Sequence, residues 1–201
     1  MQDSKGAWLP VSEVPGAAKI RAAGFNTDAD AVTRSLKEDL EVSLPGSKVL
    51  LLGAGGAGRT AALKLASEGV ADLYLVNRTS ARAEAVAVEI HQRYPKVKTT
   101  VGYPTGTVDL VLNATSLGLR ADDPLPYSET NFTLSRAKAV YDMIYLPSET
   151  RLLQQAKAAG CRVANGLGML LYQGAKALEI WTGRPAPLAI MRRALEQHVY
   201  H

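Results

Sequence analysis

Cysteine and histidine are scarce in this chain of 201 residues, which has one cysteine, Cys161, and three histidines. A single thiol excludes an internal disulfide, and no cysteine–histidine spacing is typical of a metal site. No apolar run reaches the length of a membrane-spanning helix, and the first ten residues lack the apolar core of a signal peptide. These absences predict a cytoplasmic protein with no metal and no membrane partner.

A strong excess of one charge is also missing. The chain has 23 Lys and Arg against 19 Asp and Glu, and the basic residues are scattered among the acidic ones. A nucleic-acid-binding surface needs a basic stripe or patch, so no nucleic-acid partner is expected. The hydrophobic content of 47% is ordinary for a globular protein, and the length suffices for one sizeable core.

A strand, a glycine-rich turn, a helix and a second strand follow one another in the first half of the chain. The apolar run Lys48–Leu52 leads into GAGGAG at 53–58, a helix is predicted over Ala57–Ser67, and a second run covers Asp72–Val76. Glycines permit a sharp turn and close approach of phosphates, and the free N–H groups of the helix attract anions. This unit predicts a dinucleotide site, with a purely structural glycine turn as the alternative.

Strands and helices alternate along the rest of the chain. A helix begun by Thr27 or Asp28 is predicted before the glycine unit. The later predicted elements are helix Ser80–Tyr94, strands Thr99–Val101, Val108–Leu112 and Ala139–Ile144, helix Thr150–Ala159, strand Arg162–Ala164, a helix from the turn at 165–168 to Ile180, and helix Pro187–Val199. This order predicts an α/β fold, a Rossmann-like doubly wound, mostly parallel six-stranded sheet with helices on both faces.

The end of the second strand indicates which dinucleotide is bound. NAD sites place an acidic residue there for the ribose hydroxyls, but this strand ends in Val76-Asn77-Arg78-Thr79. Arg78 and Arg82 instead offer two guanidinium groups suited to a phosphate. NADP is therefore favoured over NAD. The alternative is that both arginines are ordinary solvated surface residues.

Three later strands end in small or polar residues. These are Asn113-Ala114-Thr115-Ser116, Asp142-Met143-Ile144-Tyr145 and Asn165-Gly166-Leu167-Gly168. Parallel strands place their carboxyl ends at one edge of the sheet, where open α/β folds bind ligands. The coincidence favours a ligand cleft, although polar turns at strand ends are common.

Several motifs now occur in a fixed order between residues 24 and 195. They are Asn26-Thr27-Asp28, GAGGAG at 53–58, NRTxxRA at 77–83, NATS at 113–116, DMIYxPxxTxLL at 142–153, GLGMLLYQG at 166–174 and WTG at 181–183. Together they closely resemble the shikimate dehydrogenase family, whose members use NADPH to reduce 3-dehydroshikimate to shikimate in aromatic amino acid biosynthesis.

The resemblance implies roles for particular residues. Asp28 corresponds to the aspartate that binds the substrate hydroxyl and partners a catalytic lysine, and Tyr145 and Gln173 correspond to substrate contacts. The implied cofactor contacts are Gly53, Ala54, Gly55, Gly56, Ala57, Asn77, Arg78, Thr79, Arg82, Asn113, Thr115, Met143 and Gly166. The structural alternatives remain a helix cap for Asp28, a half-buried aromatic for Tyr145 and a surface residue for Gln173.

The N-terminal part departs from the family. Its members begin with a separate substrate domain that carries the catalytic lysine, and neither Lys5 nor Lys19 stands in such a context. We expect residues 1–23 to be an irregular segment, and 24–201 to be an NADP-binding Rossmann domain with a linking helix and C-terminal helices. The chain should then be catalytically incomplete alone, with the missing domain or another protein against the cleft face. Residues 8–14, Val32 and the last helix are the expected contact surface.

Two other functions stay open at this point. One is a standalone NADP-binding module that regulates or binds a partner protein. The other is a quinate/shikimate dehydrogenase that uses NAD, against which Arg78 and Arg82 argue.

Overall fold

The computed structural model describes residues 24–200, so the expected irregular segment 1–23, with its apolar residues 8–14, lies outside the described residues. The described elements, in chain order, are α1 (Thr27–Glu38), β1 (Lys48–Leu52), α2 (Gly56–Ser67), β2 (Asp72–Val76), α3 (Ser80–Arg93), β3 (Lys98–Val101), β4 (Val108–Asn113), a 3₁₀ turn (Leu134–Arg136), β5 (Ala137–Asp142), α4 (Arg151–Ala158), β6 (Arg162–Asn165), α5 (Leu167–Thr182) and α6 (Leu188–Tyr200). No helix among residues 24–200 is long and apolar enough to cross a membrane.

The six strands form one sheet in the order β3-β2-β1-β4-β5-β6, and every neighbouring pair is parallel. This confirms the predicted Rossmann-like fold and makes the sheet fully rather than mostly parallel. The strand order reverses between β1 and β4, where open α/β folds bind their ligands. All six carboxyl ends therefore face one edge, with the glycine turn at the point of reversal.

The central strands are buried on both faces, as expected for a parallel sheet covered by helices. Residues 49–52 of β1 have no exposed surface, and two apolar clusters pack on opposite sides of the sheet. The apolar face of α1, which includes Val32 and Leu36, packs in the first cluster. The prediction that Val32 belongs to an exposed contact surface is therefore wrong, because this side chain is 1% exposed.

Two local predictions differ from the structure. Helix α1 is capped by Asn26, whose Oδ1 accepts from the Ala29 N–H at 3.2 Å, rather than by Thr27 or Asp28. The asparagine amide reaches the free N–H of the third helical residue, which leaves Asp28 in the first turn with an exposed side chain. Strand β5 ends at Asp142 instead of Ile144, because the Ile144 N–H donates to the Asp142 side chain and leaves the sheet.

Helix α1 is held tightly between the sheet and α5. Ser35 Oγ donates to Asp39 Oδ2 at 2.6 Å and lies 2.9 Å from the hydroxyl of Tyr141 on β5. The start of α5 fits against this pair, since a Cβ at Gly168 would lie 1.9 Å from Asp39 Oδ2. A larger residue at position 168 would therefore have to displace the side chains of Asp39 and Ser35.

Candidate functional site

The glycine turn between β1 and α2 is folded on itself. Gly53 has φ +104°, and its N–H donates to the Val76 carbonyl of β2 at 2.7 Å. A Cβ at Gly53 would lie 2.9 Å from the Ala114 carbonyl oxygen, and one at Gly58 would lie 2.2 Å from the Gly53 carbonyl oxygen. These two glycines are required by the fold of the turn itself.

Two other glycines of the turn face open space. A Cβ at Gly55 or Gly56 would meet no atom within 4 Å. Gly55 is the N-cap of α2, no side chain caps the helix, and the first turn contains no acidic residue. The first N–H groups of α2 are therefore free to bind an anion, and no carboxylate side chain of that turn competes for them.

Asn77 connects this turn to the end of β2. Its Oδ1 accepts from the Ala54 N–H at 2.9 Å, and its Nδ2 donates to the Thr79 carbonyl at 2.9 Å. Both ends of the amide are thus used inside the protein. The structure assigns Asn77 a part in shaping the turn, and a direct contact of its side chain with a ligand remains a prediction.

Arg78 and Arg82 stand beside the turn with exposed side chains. Within residues 24–200, neither guanidinium is within ion-pair distance of a carboxylate. Arg93, at the other end of α3, differs in this respect, because it pairs with Glu89 at 3.0 Å. The two cleft arginines therefore place uncompensated positive charge next to the free N–H groups of α2.

A cleft of about 580 Å³ opens between the glycine turn and a facing loop. Its near wall includes Gly53, Gly55, Val76, Asn77, Arg78, Thr79, Arg82, Ala114 and Thr115, and its far wall includes Tyr103 and residues 125–128. The far wall is held together by the Tyr103 hydroxyl, which accepts from the Ser128 N–H at 2.8 Å. The sequence predictions missed this wall, because residues 117–135 have no periodic pattern. The position of Tyr103, just after β3, was the available signal.

Asn113, predicted as a cofactor contact, points into the protein. It is fully buried, and its Nδ2 donates to Asp142 Oδ1 at 2.9 Å. Its Oδ1 accepts from both the N–H and the hydroxyl of Thr115, at 3.0 and 2.8 Å. Asn113 thus sets the position of Thr115, which itself lines the cleft.

Asp142 is a buried carboxylate at the end of β5 that the sequence predictions gave no role. Besides the Asn113 amide, its Oδ1 accepts from the Ile144 N–H at 3.1 Å, and its Oδ2 accepts from the Thr150 hydroxyl at 2.7 Å. Burial raises the pKa of Asp142 above its ordinary value, and these hydrogen bonds partly oppose that rise. Since all its partners are donors, the carboxyl group is bound as an acceptor of hydrogen bonds.

Met143 and Gly166 meet where β5 and β6 end. A Cβ at Gly166 would lie 1.9 Å from the Met143 carbonyl oxygen, and the Gly166 N–H donates to the Ile144 carbonyl at 3.2 Å. Both residues lie at the carboxyl edge of the sheet but outside the lining of the 580 Å³ cleft. They lie in the β4–β6 half of the sheet, and their contact with a cofactor remains a prediction.

The predicted substrate residues lie apart from this cleft. Asp28 is in the first turn of α1, and Tyr145 is 37% exposed just beyond β5. Gln173 lies on α5, where its Nε2 donates to the Leu170 carbonyl at 3.2 Å. None of the three lines the cleft, and their contacts with substrate remain predictions.

Comparison with known proteins identifies the family. The model of shikimate / quinate 5-dehydrogenase matches residues 35–118, and the model of the shikimate 5'-dehydrogenase C-terminal domain matches residues 166–196. The shikimate dehydrogenase (NADP(+)) of Methanopyrus kandleri is 37% identical over 183 residues. The chain belongs to the shikimate dehydrogenase family. The resemblance noted in the motifs is thereby confirmed.

Solved structures agree with this assignment to the shikimate dehydrogenase family. A shikimate dehydrogenase in complex with NADP+ is 33% identical, with a TM-score of 0.77, and the match covers 89% of this chain and 63% of that one. The ligand-free 5-ketofructose reductase of Gluconobacter sp. is 36% identical, with a TM-score of 0.75, over 87% of this chain and 64% of the other. The match to the Methanopyrus enzyme covers 88% of this chain and 63% of that enzyme. The chain thus spans less than two thirds of the length of these relatives.

Proposed function

We propose that this chain is the NADP-binding portion of a shikimate dehydrogenase, which reduces 3-dehydroshikimate to shikimate with NADPH. One observation carries the proposal. In a chain of this family, the N-terminus of α2, which no side chain caps, faces the same cleft as the guanidinium groups of Arg78 and Arg82, which pair with no carboxylate among residues 24–200. That cleft offers separate anion sites for a pyrophosphate and for a 2′-phosphate.

The positive charge of the donor set fits the phosphates of NADP. The backbone around Gly55, Gly56 and Ala57 would hold the pyrophosphate, and Arg78 and Arg82 would hold the ribose 2′-phosphate. A bound NADPH supplies the hydride for reduction of a ketone. The chain would bind and orient it, with Asn77 shaping the glycine turn and the Tyr103 hydroxyl fixing the position of the facing loop through the Ser128 N–H.

The β4–β6 half of the cleft is proposed to take the reactive end of the cofactor, beside Met143 and Gly166. Ketone reduction also needs a proton donor for the oxygen that gains negative charge, and a lysine held by a carboxylate can supply it. Asp28 is proposed as that carboxylate, because its side chain is not used as the helix cap and remains exposed. Tyr145 and Gln173 are proposed to contact the substrate from the same side. None of the residues predicted for this site is a lysine that could act as the proton donor.

We further propose that residues 24–201 form the NADP-binding domain and that a substrate domain or another protein completes the cleft. The chain's coverage of its relatives supports this, as does the exposed apolar surface near α6. Trp181 is 80% exposed and Ile190 is 70% exposed, and α6 contains no fully buried residue. The cytoplasmic location stays a prediction.

Two measurements test the proposal. Titration with NADPH should show saturable binding to the chain, and incubation with shikimate and NADP should give no NADPH. Adding the N-terminal substrate domain of a relative such as the Methanopyrus enzyme as a separate protein should then give measurable turnover. Absence of NADPH binding would contradict the proposal as a whole. Full turnover by the chain alone would contradict the need for a second domain.

A standalone NADP-binding module remains a second candidate, favoured by the exposure of Trp181 and Ile190. It predicts NADPH binding with no turnover in any combination with a substrate domain. Arg78 and Arg82 in the cleft lining argue against an NAD-dependent quinate/shikimate dehydrogenase, which predicts that NADH binds at least as tightly as NADPH.

A further inference from the structure

Asp142 is a buried charged residue that the proposed function does not use. Its side chain is 0% exposed, and among residues 24–200 no lysine, arginine or histidine lies within ion-pair distance of it. Burying a carboxylate without a cationic partner lowers the free energy of unfolding. We therefore expect its hydrogen bonds to fix the positions of the groups that they join. Its three donors come from three different places: Asn113 at the end of β4, the backbone after β5, and Thr150 at the start of α4.

We propose that Asp142 is a positioning residue that sets the geometry of the nicotinamide half of the cofactor cleft and leaves the adenosine half unaffected. The inference rests on the proposed function, since it assumes that the cleft binds NADP. Doubly wound folds bind a dinucleotide across two mononucleotide-binding halves. The glycine turn, Arg78 and Arg82 belong to the β1–β3 half, whereas Asp142 closes the central strand of the β4–β6 half.

The contacts of Asp142 reach two sides of the β4–β6 half, namely the end of β4 and the turn that follows β5. Through the amide of Asn113 it fixes the residue whose Oδ1 holds Thr115 in the cleft wall. Through the Ile144 N–H it fixes the turn in which the Met143 carbonyl lies against Gly166. The two sides are also joined directly, because the Met143 N–H donates to the Asn113 carbonyl at 3.0 Å.

Thr150 gives a second way to test the same network. Its hydroxyl donates to Asp142 Oδ2 and also caps α4 by accepting from the Leu153 N–H. Thr150→Val removes the hydroxyl, whereas Thr150→Ser keeps it. A positioning role predicts that the serine variant retains the properties of the unmodified chain.

Asp109 provides a matched control for Asp142. It also lies on a central strand and also accepts a backbone N–H, from Lys48 at 2.8 Å, but it stands at the opposite end of β4, where it pairs with Lys138 at 2.7 Å. Asp109→Asn therefore makes the same chemical change away from the cleft. If loss of stability alone weakened cofactor binding, Asp142→Asn and Asp109→Asn would each bind NADPH more weakly in proportion to the fall in melting temperature.

The experiment measures calorimetric binding of two probes, NADPH and adenosine 2′,5′-bisphosphate, which contains only the adenosine half with its 2′-phosphate. Asp142→Asn and Thr150→Val should weaken NADPH binding about tenfold, the effect of disturbing one or two buried hydrogen bonds. Binding of the bisphosphate should stay unchanged in all variants, and Asp109→Asn and Thr150→Ser should bind both probes normally. Equal losses for both probes, or no loss for NADPH, would overturn the inference. Failure of the unmodified chain to bind either probe would instead refute the proposed function.

Discussion

Replacing Arg78 by alanine should lower the preference of the cleft for NADPH over NADH roughly ten- to thirtyfold and leave the part of that preference that Arg82 supplies. Arg78 is exposed beside the phosphate turn and has no carboxylate partner among residues 24–200, so its removal breaks no internal ion pair. The loss should fall entirely on the bound 2′-phosphate, which only NADPH carries. Asn77 would remain in place, since its two hydrogen bonds do not involve Arg78.

The size of the effect follows from the exposure of the site. A hydrogen bond to a charged group contributes about 1.5–3 kcal/mol, and a solvated guanidinium should contribute near the lower limit. A loss of about 1.5–2 kcal/mol weakens NADPH binding roughly ten- to thirtyfold at 25 °C. NADH binding should change by less than about twofold, because no phosphate is lost from that complex. The NADPH effect should shrink as salt is added, since the site is exposed.

Fluorescence titration with each reduced cofactor measures both constants. Arg82→Ala should behave like Arg78→Ala, because both side chains line the same cleft. Arg93→Ala is the matched control, since it removes the same charge from the far end of α3, where the guanidinium pairs with Glu89. Equal losses of NADPH and NADH binding in Arg78→Ala, or a comparable loss in Arg93→Ala, would refute the assignment of the 2′-phosphate site.

Two further predictions concern the glycine turn and one buried tyrosine. Gly58→Ala should lower the melting temperature by several degrees, because its Cβ would lie 2.2 Å from the Gly53 carbonyl oxygen, whereas Gly55→Ala should keep that temperature and weaken NADPH binding. Thermal unfolding and NADPH titration of both variants test these two expectations. An unchanged melting temperature in Gly58→Ala would contradict the first. Burial and a hydrogen bond to Glu38 raise the pKa of Tyr172 from 10.0 to about 12. The neutral phenol is thus favoured in the folded state, so its contribution to stability is complete below pH 10 and is lost as the pH rises to about 12. Urea unfolding between these pH values should show a smaller loss of unfolding free energy for Tyr172→Phe than for the unmodified chain. The same dependence on pH in both proteins would contradict this expectation.

The parts of the fold that depend on local pattern could be predicted from the sequence. Alternating apolar strands and amphipathic helices define a parallel sheet, and the glycine turn between Leu52 and Ala57 indicates where its switch point lies. The errors occurred where one side chain decides a boundary. Asn26 caps α1 one residue before the expected position, and the Asp142 carboxylate takes the Ile144 N–H and ends β5 early.

The candidate site was predictable only for the residues adjacent in sequence to the glycine turn and to the end of β2. Tyr103 and Ser128 form the opposite wall through a contact that spans 25 residues, and no periodic signal marks it. The partnership of Asn113 with Asp142 spans 29 residues. In such pairs the sequence indicates that polar residues follow strands, but it does not indicate whether they face a ligand or each other.

The buried contacts of α1 limit how this helix can move relative to the sheet. Ser35 joins the helix to Tyr141 in the sheet, and Gly168 lets α5 lie against Asp39, so the helix cannot tilt without breaking buried contacts. Helix α1 therefore moves as one body with the nucleotide-binding sheet.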